Sequence, residues 1–227
     1  MGLSAVMGKT LVIAPHPDDE VLGAGGTIAR LAAQGNEVYI AVVTEGKPPA
    51  FTAEATSRVK AEAREAHRIL GVKETFWLGF PAAALSETAH SALNAALFDL
   101  VQTLSPDTLL LPFIGDMHMD HQVIFTSSLV SARPHQENFP KLILAYETLS
   151  ETNWNAPYLT PSFVPNVFID IADHVGAKIE AMHAFKSQLR PPPHERSLEA
   201  LRALATLRGA TVMKTAAEAF VLVRHII

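Results

Sequence analysis

The 227-residue chain is 48% hydrophobic and 18% charged, with a net charge of −5, a balance that fits a folded globular protein and excludes a disordered one. Its charges form no long run of one sign, so nothing favours nucleic acid or an anionic lipid surface as a partner. With no cysteine in the chain, disulfides, thiolate metal sites and cysteine nucleophiles are excluded.

The opening residues, MGLSAVMGKT, lack the basic start and apolar stretch of a secretory signal. A buried strand is expected at Thr10–Ala14 (TLVIA), then a loop, then a helix from about Thr27 to Gln34 that Gly35 and Asn36 end. The run EVYIAVV at 37–43 reads as a second strand, and 45–57 as a loop. Val59, Ala63, Ala66, Ile69 and Leu70 follow a helical period over 57–70, closed by Gly71. A strand at 75–78 and a helix over 90–104 come next, and Ser105-Pro106-Asp107 turns the chain into a fourth strand at 108–111. A helix after His121, strands at 142–146 and 166–171, helices at 173–185 and 195–208, and a strand at 220–224 complete the order. Strands that alternate with helices and read as continuous apolar runs predict one α/β domain over 1–227 with a mainly parallel sheet covered on both faces. The longest apolar runs, such as LILAY from Leu142, are strand-sized and too short to span a bilayer. A cytoplasmic protein without a membrane span is the expectation.

Residues 14–26, APHPDDEVLGAGG, follow the first strand directly. In a doubly wound sheet, ligands bind beyond the carboxyl ends of the strands. His16 and Asp19 are spaced to converge on one ion, and the adjacent carboxylates of Asp18 and Asp19 repel unless a cation or proton compensates. A helix N-cap accounts for these aspartates equally well. Gly23, Gly25 and Gly26 do not make a dinucleotide loop, because Ile28 holds the last glycine position of that fingerprint. They are expected instead to let backbone pass close to its neighbours.

Residues 112–122, PFIGDMHMDHQ, follow the fourth strand at the same edge of the sheet. A catalytic zinc takes about three protein ligands and leaves one position for water. His16, Asp19 and His121 supply two imidazoles and a carboxylate suited to Zn2+ or another divalent metal. Asp18, His118 and Asp120 are then left unligated beside it.

These segments resemble those of the LmbE-like, or PIG-L, N-acetylglucosaminyl deacetylases. The resemblance covers most of the chain: HPDDEVLGAGG at 16–26, ILGV at 69–72, HMDH at 118–121, KIEAMHAFKSQ at 178–188 and AEAF at 217–220. It implies a Rossmann-like three-layer α/β sandwich, zinc held by His16, Asp19 and His121, and Asp18 as general base. It further implies that His118 stabilises the oxyanion or protonates the leaving amine, with Asp120 orienting it. The substrate it implies is a small N-acetylated amine of the N-acetylglucosamine type, and members commonly form homo-oligomers. Met119 departs from the family's usual proline, and Arg58 stands one residue earlier than the family's spacing to Glu62. Arg58 and Glu62 are also helical neighbours that suit a plain surface pair.

Beyond these, Arg58, Tyr146, Trp154 and His194 are candidates for substrate contact, with Asn153, Arg190 and Arg196 nearby. His67, His90, His135, His174 and His225 lack a supporting pattern and read as structural. Two other chemistries fit the ligand set. One is a metal-dependent hydratase or lyase acting on a small unsaturated acid on the same scaffold. The other is a non-haem iron oxygenase, whose triad usually sits on an antiparallel barrel.

Overall fold

In a computed structural model describing residues 2–227, the chain runs α1 (Leu3–Met7), β1 (Thr10–Ala14), α2 (Asp19–Ala33), β2 (Val38–Glu45), α3 (Ala53–Leu70) and β3 (Glu74–Pro81). A 3-10 turn (Leu85–Glu87) leads to α4 (His90–Leu104), β4 (Thr108–Pro112), α5 (Met119–Ser131), β5 (Leu142–Tyr146) and β6 (Val167–Asp170). The chain closes with α6 (Val175–Ala184), α7 (Leu198–Thr211) and β7 (Ala217–His225).

The strands form one sheet in the order β3-β2-β1-β4-β5-β7-β6. Neighbours from β3 to β5 pair in parallel, whereas β7 is antiparallel to both β5 and β6. Successive strand residues point to opposite faces, and both faces are covered. Val12 and Ala14 join a core shared with α2, α3, α6 and α7; Leu11 and Ile13 join a second core under α4 and α5. This is the three-layer α/β arrangement expected, and no antiparallel barrel of the oxygenase type is present among the described residues. No helix among them is long and apolar enough to cross a membrane.

Helix α2 departs most from the sequence expectation, which begins a helix only near Thr27. It starts at Asp19 and takes Gly23, Gly25 and Gly26 into its interior. Glycine costs a helix about 1 kcal/mol relative to alanine, and packing overrides that cost here. A Cβ on Gly23 would lie 2.2 Å from Tyr146 Cδ2, and one on Gly26 would lie 2.6 Å from Ile171 Cδ1. The expected close approach is real, but it is made by a helix against side chains. Helix α3 also starts earlier than the expected 57, where the Thr52 hydroxyl accepts the Ala55 amide at 3.2 Å. The Ser197 hydroxyl likewise starts α7 three residues later than expected, accepting the Ala200 amide at 3.1 Å.

Behind α2, Lys178 of α6 and Glu218 of β7 form a buried ion pair, 3% and 4% exposed. Lys178 Nζ also donates to the Leu22 carbonyl at 2.8 Å, and Glu218 accepts the Gly26 and Thr27 amides at 2.8 and 2.7 Å. The motif fragments at 178–188 and 217–220 thus meet on the glycine-rich part of α2, at Leu22, Gly26 and Thr27.

Strands β1 and β4 are hydrogen-bonded neighbours, yet the helix after β1 packs on one face of the sheet and the helix after β4 on the other. The crevice between these two diverging connections is the topological switch point where α/β sheets bind ligands.

Candidate metal centre

The connection after β1 is tied to β2, where Thr44 donates from its amide and hydroxyl to the Pro15 carbonyl at 3.1 and 2.8 Å. Asp18 then occupies the N-cap position of α2, but its side chain makes no capping hydrogen bond. Its backbone lies at φ 120°, a region that costs a non-glycine residue on the order of 1–3 kcal/mol and persists only where the surroundings enforce it. The capping account of these aspartates therefore fails at Asp18. In the second segment the N-cap of α5 is His118, whose Nδ1 accepts the Asp120 amide at 3.1 Å. Asp120 and His121 follow in the first turn, 1% and 0% exposed.

His16 Nδ1 and His121 Nε2 lie 3.2 and 3.3 Å from the same oxygen, Asp19 Oδ2. Donors bound at about 2.0–2.1 Å to a tetrahedral ion stand roughly 3.3 Å from one another. Two buried atoms in this cluster, Asp19 Oδ1 and His121 Nε2, lack a hydrogen-bond partner, a costly condition for groups shut away from water. The far side of each imidazole meets a carboxylate. His16 Nε2 lies 3.1 Å from Asp120 Oδ2, and His121 Nδ1 lies 2.8 Å from Asp116 Oδ2. Carboxylate-backed histidines facing a third oxygen ligand are the arrangement that orients imidazoles on a metal. His16, Asp19 and His121 therefore fit a divalent cation, and their ligand atoms all lie within 4.8 Å of one another.

The electrostatics agree with that fit. Burial works against charge on His16, but Asp120 and Asp19 outweigh it and raise its pKa to about 9. Burial likewise opposes charge on His121, where Asp19 and Asp116 lift the value to about 10. Burial disfavours the Asp19 carboxylate too, yet His121 and His16 hold it well below the usual range. Asp18 goes the other way: burial, opposed by Arg196 and reinforced by Asp19 and Glu20, pushes it up to about 8. The cluster thus calls for positive charge, which Arg196 supplies at Asp18 and, without a metal, protonated imidazoles supply at Asp19.

A cavity of about 440 Å³ opens over His16, Asp18 and His118, and its wall includes Phe51, Arg58 and Arg196. Several sequence expectations change here. The Asp120 carboxylate does not orient His118. It accepts the Ala83 and Leu85 amides at 2.7 and 3.1 Å and backs His16, and only its own amide touches His118. Tyr146 is a core residue rather than a substrate contact: it is fully buried and its hydroxyl donates to the Ile13 carbonyl at 2.8 Å. Trp154 and His194 pack edge to face at 5.8 Å and neither lines the cavity. His194 Nδ1 instead accepts the Arg196 amide at 3.0 Å. Arg58 does line the cavity, while Glu62 leaves it to accept the Ser187 amide and hydroxyl at 3.0 and 2.6 Å.

Sequence reasoning gave no role to Asp116 and placed Arg196 only among the weaker pocket candidates. Asp116 is buried and also accepts the Thr152 hydroxyl at 2.6 Å, which fixes the carboxylate behind His121. Its signal was its place in the second segment, five residues before His121. Arg196 reaches Asp18 Oδ2 at 3.1 Å from Nη1 and Ser150 Oγ at 2.9 Å from Nε. It offered no signal beyond its place on a stiff proline-rich loop.

Comparison with known proteins adds independent findings. The sequence profile of the family described as PIG-L: GlcNAc-PI de-N-acetylase matches residues 11–132. The chain is 32% identical over 186 residues to an uncharacterized deacetylase of Escherichia coli, YaiS, covering 78% of this chain and 90% of that one. It is 29% identical over 215 residues to the diacetylchitobiose deacetylase of Thermococcus kodakarensis, with coverage of 88% and 78%. Among solved structures, a conserved protein of Thermus thermophilus superposes with a TM-score of 0.79 at 26% identity, covering 97% of both chains. The 4-carboxy-2-hydroxymuconate hydratase of Pseudomonas putida superposes at 0.78 with 20% identity, covering 97% and 98%, and shares the fold.

Proposed function

The chain belongs to the PIG-L: GlcNAc-PI de-N-acetylase family, and on that premise we propose that it is a zinc-dependent N-deacetylase. Its substrate in this reading is a small N-acetylated amine of the N-acetylglucosamine type, free or in a glycoconjugate. His16, Asp19 and His121 are the ligands. The observation that carries this is their convergence: two ring nitrogens around one carboxylate oxygen, with Asp19 Oδ1 and His121 Nε2 buried and partnerless. Curated relatives named as deacetylases of N-acetylated sugars support the reaction type.

A divalent ion held by these residues supplies the Lewis acidity that polarises an amide carbonyl and lowers the pKa of water. The residues around it do the rest. Asp18, 2% exposed and faced by Arg196, takes the proton from the attacking water as the new C–O bond forms. His118 stands across the cavity mouth, its ring 4.6 Å from that of His16. Its Nδ1 accepts a backbone amide, so the proton sits on Nε2, the nitrogen left to face the reacting carbonyl. Burial and the neighbouring His16 lower the His118 pKa, which favours the neutral ring that this hydrogen bond requires. From Nε2 it stabilises the oxyanion, and the proton taken up by Asp18 passes to nitrogen as the C–N bond breaks, giving acetate and the free amine. Asp120 and Asp116 keep the two ligand imidazoles in register. Asp116→Asn is expected to weaken metal binding by about 10–100-fold, as for other carboxylates behind ligand histidines. A chelator-competition titration checks this, and unchanged affinity removes Asp116 from the support of His121.

The hydratase reading requires cations free to hold a small unsaturated acid. Arg196 is engaged by Asp18 and Glu151, and Lys60 by Glu45, which leaves Arg58 alone of the lysines and arginines described in the cavity wall and disfavours a dicarboxylate. Incubating metal-loaded protein with a panel of N-acetylated amino sugars and, separately, an unsaturated dicarboxylate distinguishes the two. Acetate release from the amino sugars is expected; hydration without acetate release overturns the proposal.

A further inference from the structure

Glu20 follows the two aspartates of the first segment and is fully buried. A third carboxylate beside Asp18 and Asp19 adds repulsion where charge is already crowded, so packing alone gives no reason for it. Its contacts supply one. Glu20 Oε2 accepts the Asp18 backbone amide at 3.2 Å. Glu20 Oε1 lies 2.9 Å from His67 Nε2, and His67 Nδ1 lies 2.7 Å from Thr75 Oγ1. The chain of contacts runs from Thr75 on β3 through His67 on α3 to Glu20 in the first turn of α2. It ends on the peptide of Asp18, the residue held at φ 120°. His67 is 4% exposed and both its ring nitrogens are engaged, so it is fixed from β3 and in turn fixes Glu20.

The geometry points to Glu20 as a positioning residue, braced by His67 and Thr75, that holds the Asp18 peptide in its strained conformation so that the carboxylate faces the cavity. This rests on the reading of Asp18 as the general base. Glu20 touches neither substrate nor metal; it acts through one hydrogen bond to a backbone that would otherwise relax. A misplacement of about 1 Å in a catalytic group can cost on the order of 10²-fold in rate, and that is the size of effect expected from losing this bond.

The test compares Glu20→Ala with Glu20→Gln. Glutamine keeps an oxygen for the Asp18 amide and an NH2 towards the His67 ring, so it restores function if the hydrogen bond is what matters. Expected results are a fall in kcat of about 10²-fold for Glu20→Ala with KM unchanged, metal content equal to the parent, and near-parental kcat for Glu20→Gln. In an Asp18→Asn background, Glu20→Ala should cost nothing further; a loss that multiplies with Asp18→Asn, or a Glu20→Gln as impaired as Glu20→Ala, overturns the inference. Thr75→Val loosens the same brace with little change of shape and should give a smaller fall in kcat, which keeps the test open if Glu20→Ala does not fold. Amide hydrogen exchange at Asp18 needs no substrate and should accelerate in Glu20→Ala but not in Glu20→Gln. Unaltered exchange overturns the inference whatever the enzyme does. Faster exchange combined with full turnover in Asp18→Asn supports the hold on the peptide and overturns the reading of Asp18 as base.

Discussion

Asp18→Asn should lower kcat by about 10²–10⁴-fold, the range for removing a general acid–base group, while leaving metal content and KM close to the parent. The asymmetry follows from position. Asp18 lies beside the ligand cluster but is not one of its converging atoms: its Oδ2 meets Arg196, and the oxygen shared by both imidazoles belongs to Asp19. Asparagine matches its size and keeps an oxygen for Arg196, so the wall of the cavity stays in place. What it loses is the capacity to accept a proton from water. Burial and nearby carboxylates push the Asp18 pKa up to about 8 without a metal, and a cation bound one residue away would favour the ionised form a base needs. Steady-state acetate release, with metal measured on the same preparation, reads both halves of the expectation. A full rate in Asp18→Asn removes the residue from the chemistry.

Lys178→Met is the substitution expected to cost most in stability. It strips the cation from Glu218 and leaves a carboxylate buried against the Gly26 and Thr27 amides. Breaking one side of a buried ion pair typically costs about 3–5 kcal/mol, against a whole-domain stability of about 5–15 kcal/mol. Lys178→Met combined with Glu218→Gln should recover only part of the loss, because glutamine carries no charge to desolvate but accepts just one of the Gly26 and Thr27 amides. Denaturant unfolding of the single and double variants measures both. If the single variant is as stable as the parent, the pair does not hold α2.

Much of this was legible in the chain. Strands β1 and β5 and helix α4 fall at their expected limits, because each is an apolar or periodic run closed by a sharp boundary. Both segments of the candidate metal centre could be read for a related reason: each combines histidine and aspartate directly after a strand, and neighbouring parallel strands bring such loops to one edge. Helix α2 resisted reading because its glycines contradict local propensity, and only Tyr146 and Ile171, distant in sequence, explain them. Arg196 is 178 residues from Asp18, a distance at which no spacing rule operates. Tyr146 looked like a pocket residue because a phenol at a strand end suits a ligand as well as it suits a core carbonyl. For Asp120, the family resemblance pointed to His118, whereas the helical turn gives the carboxylate to His16. His67 gave no signal because its partners stand on two other elements, Thr75 on β3 and Glu20 on α2.

The metal content of the purified protein, set beside that of His121→Ala, tests the metal centre most directly. His121 is fully buried, and its Nε2 faces Asp19 with no hydrogen-bond partner. Elemental analysis should find one divalent ion, zinc by this account, per parent chain, and next to none in His121→Ala at unchanged fold. Full occupancy in His121→Ala, or a parent that takes up no metal when supplied with it, would contradict a centre built from His16, Asp19 and His121.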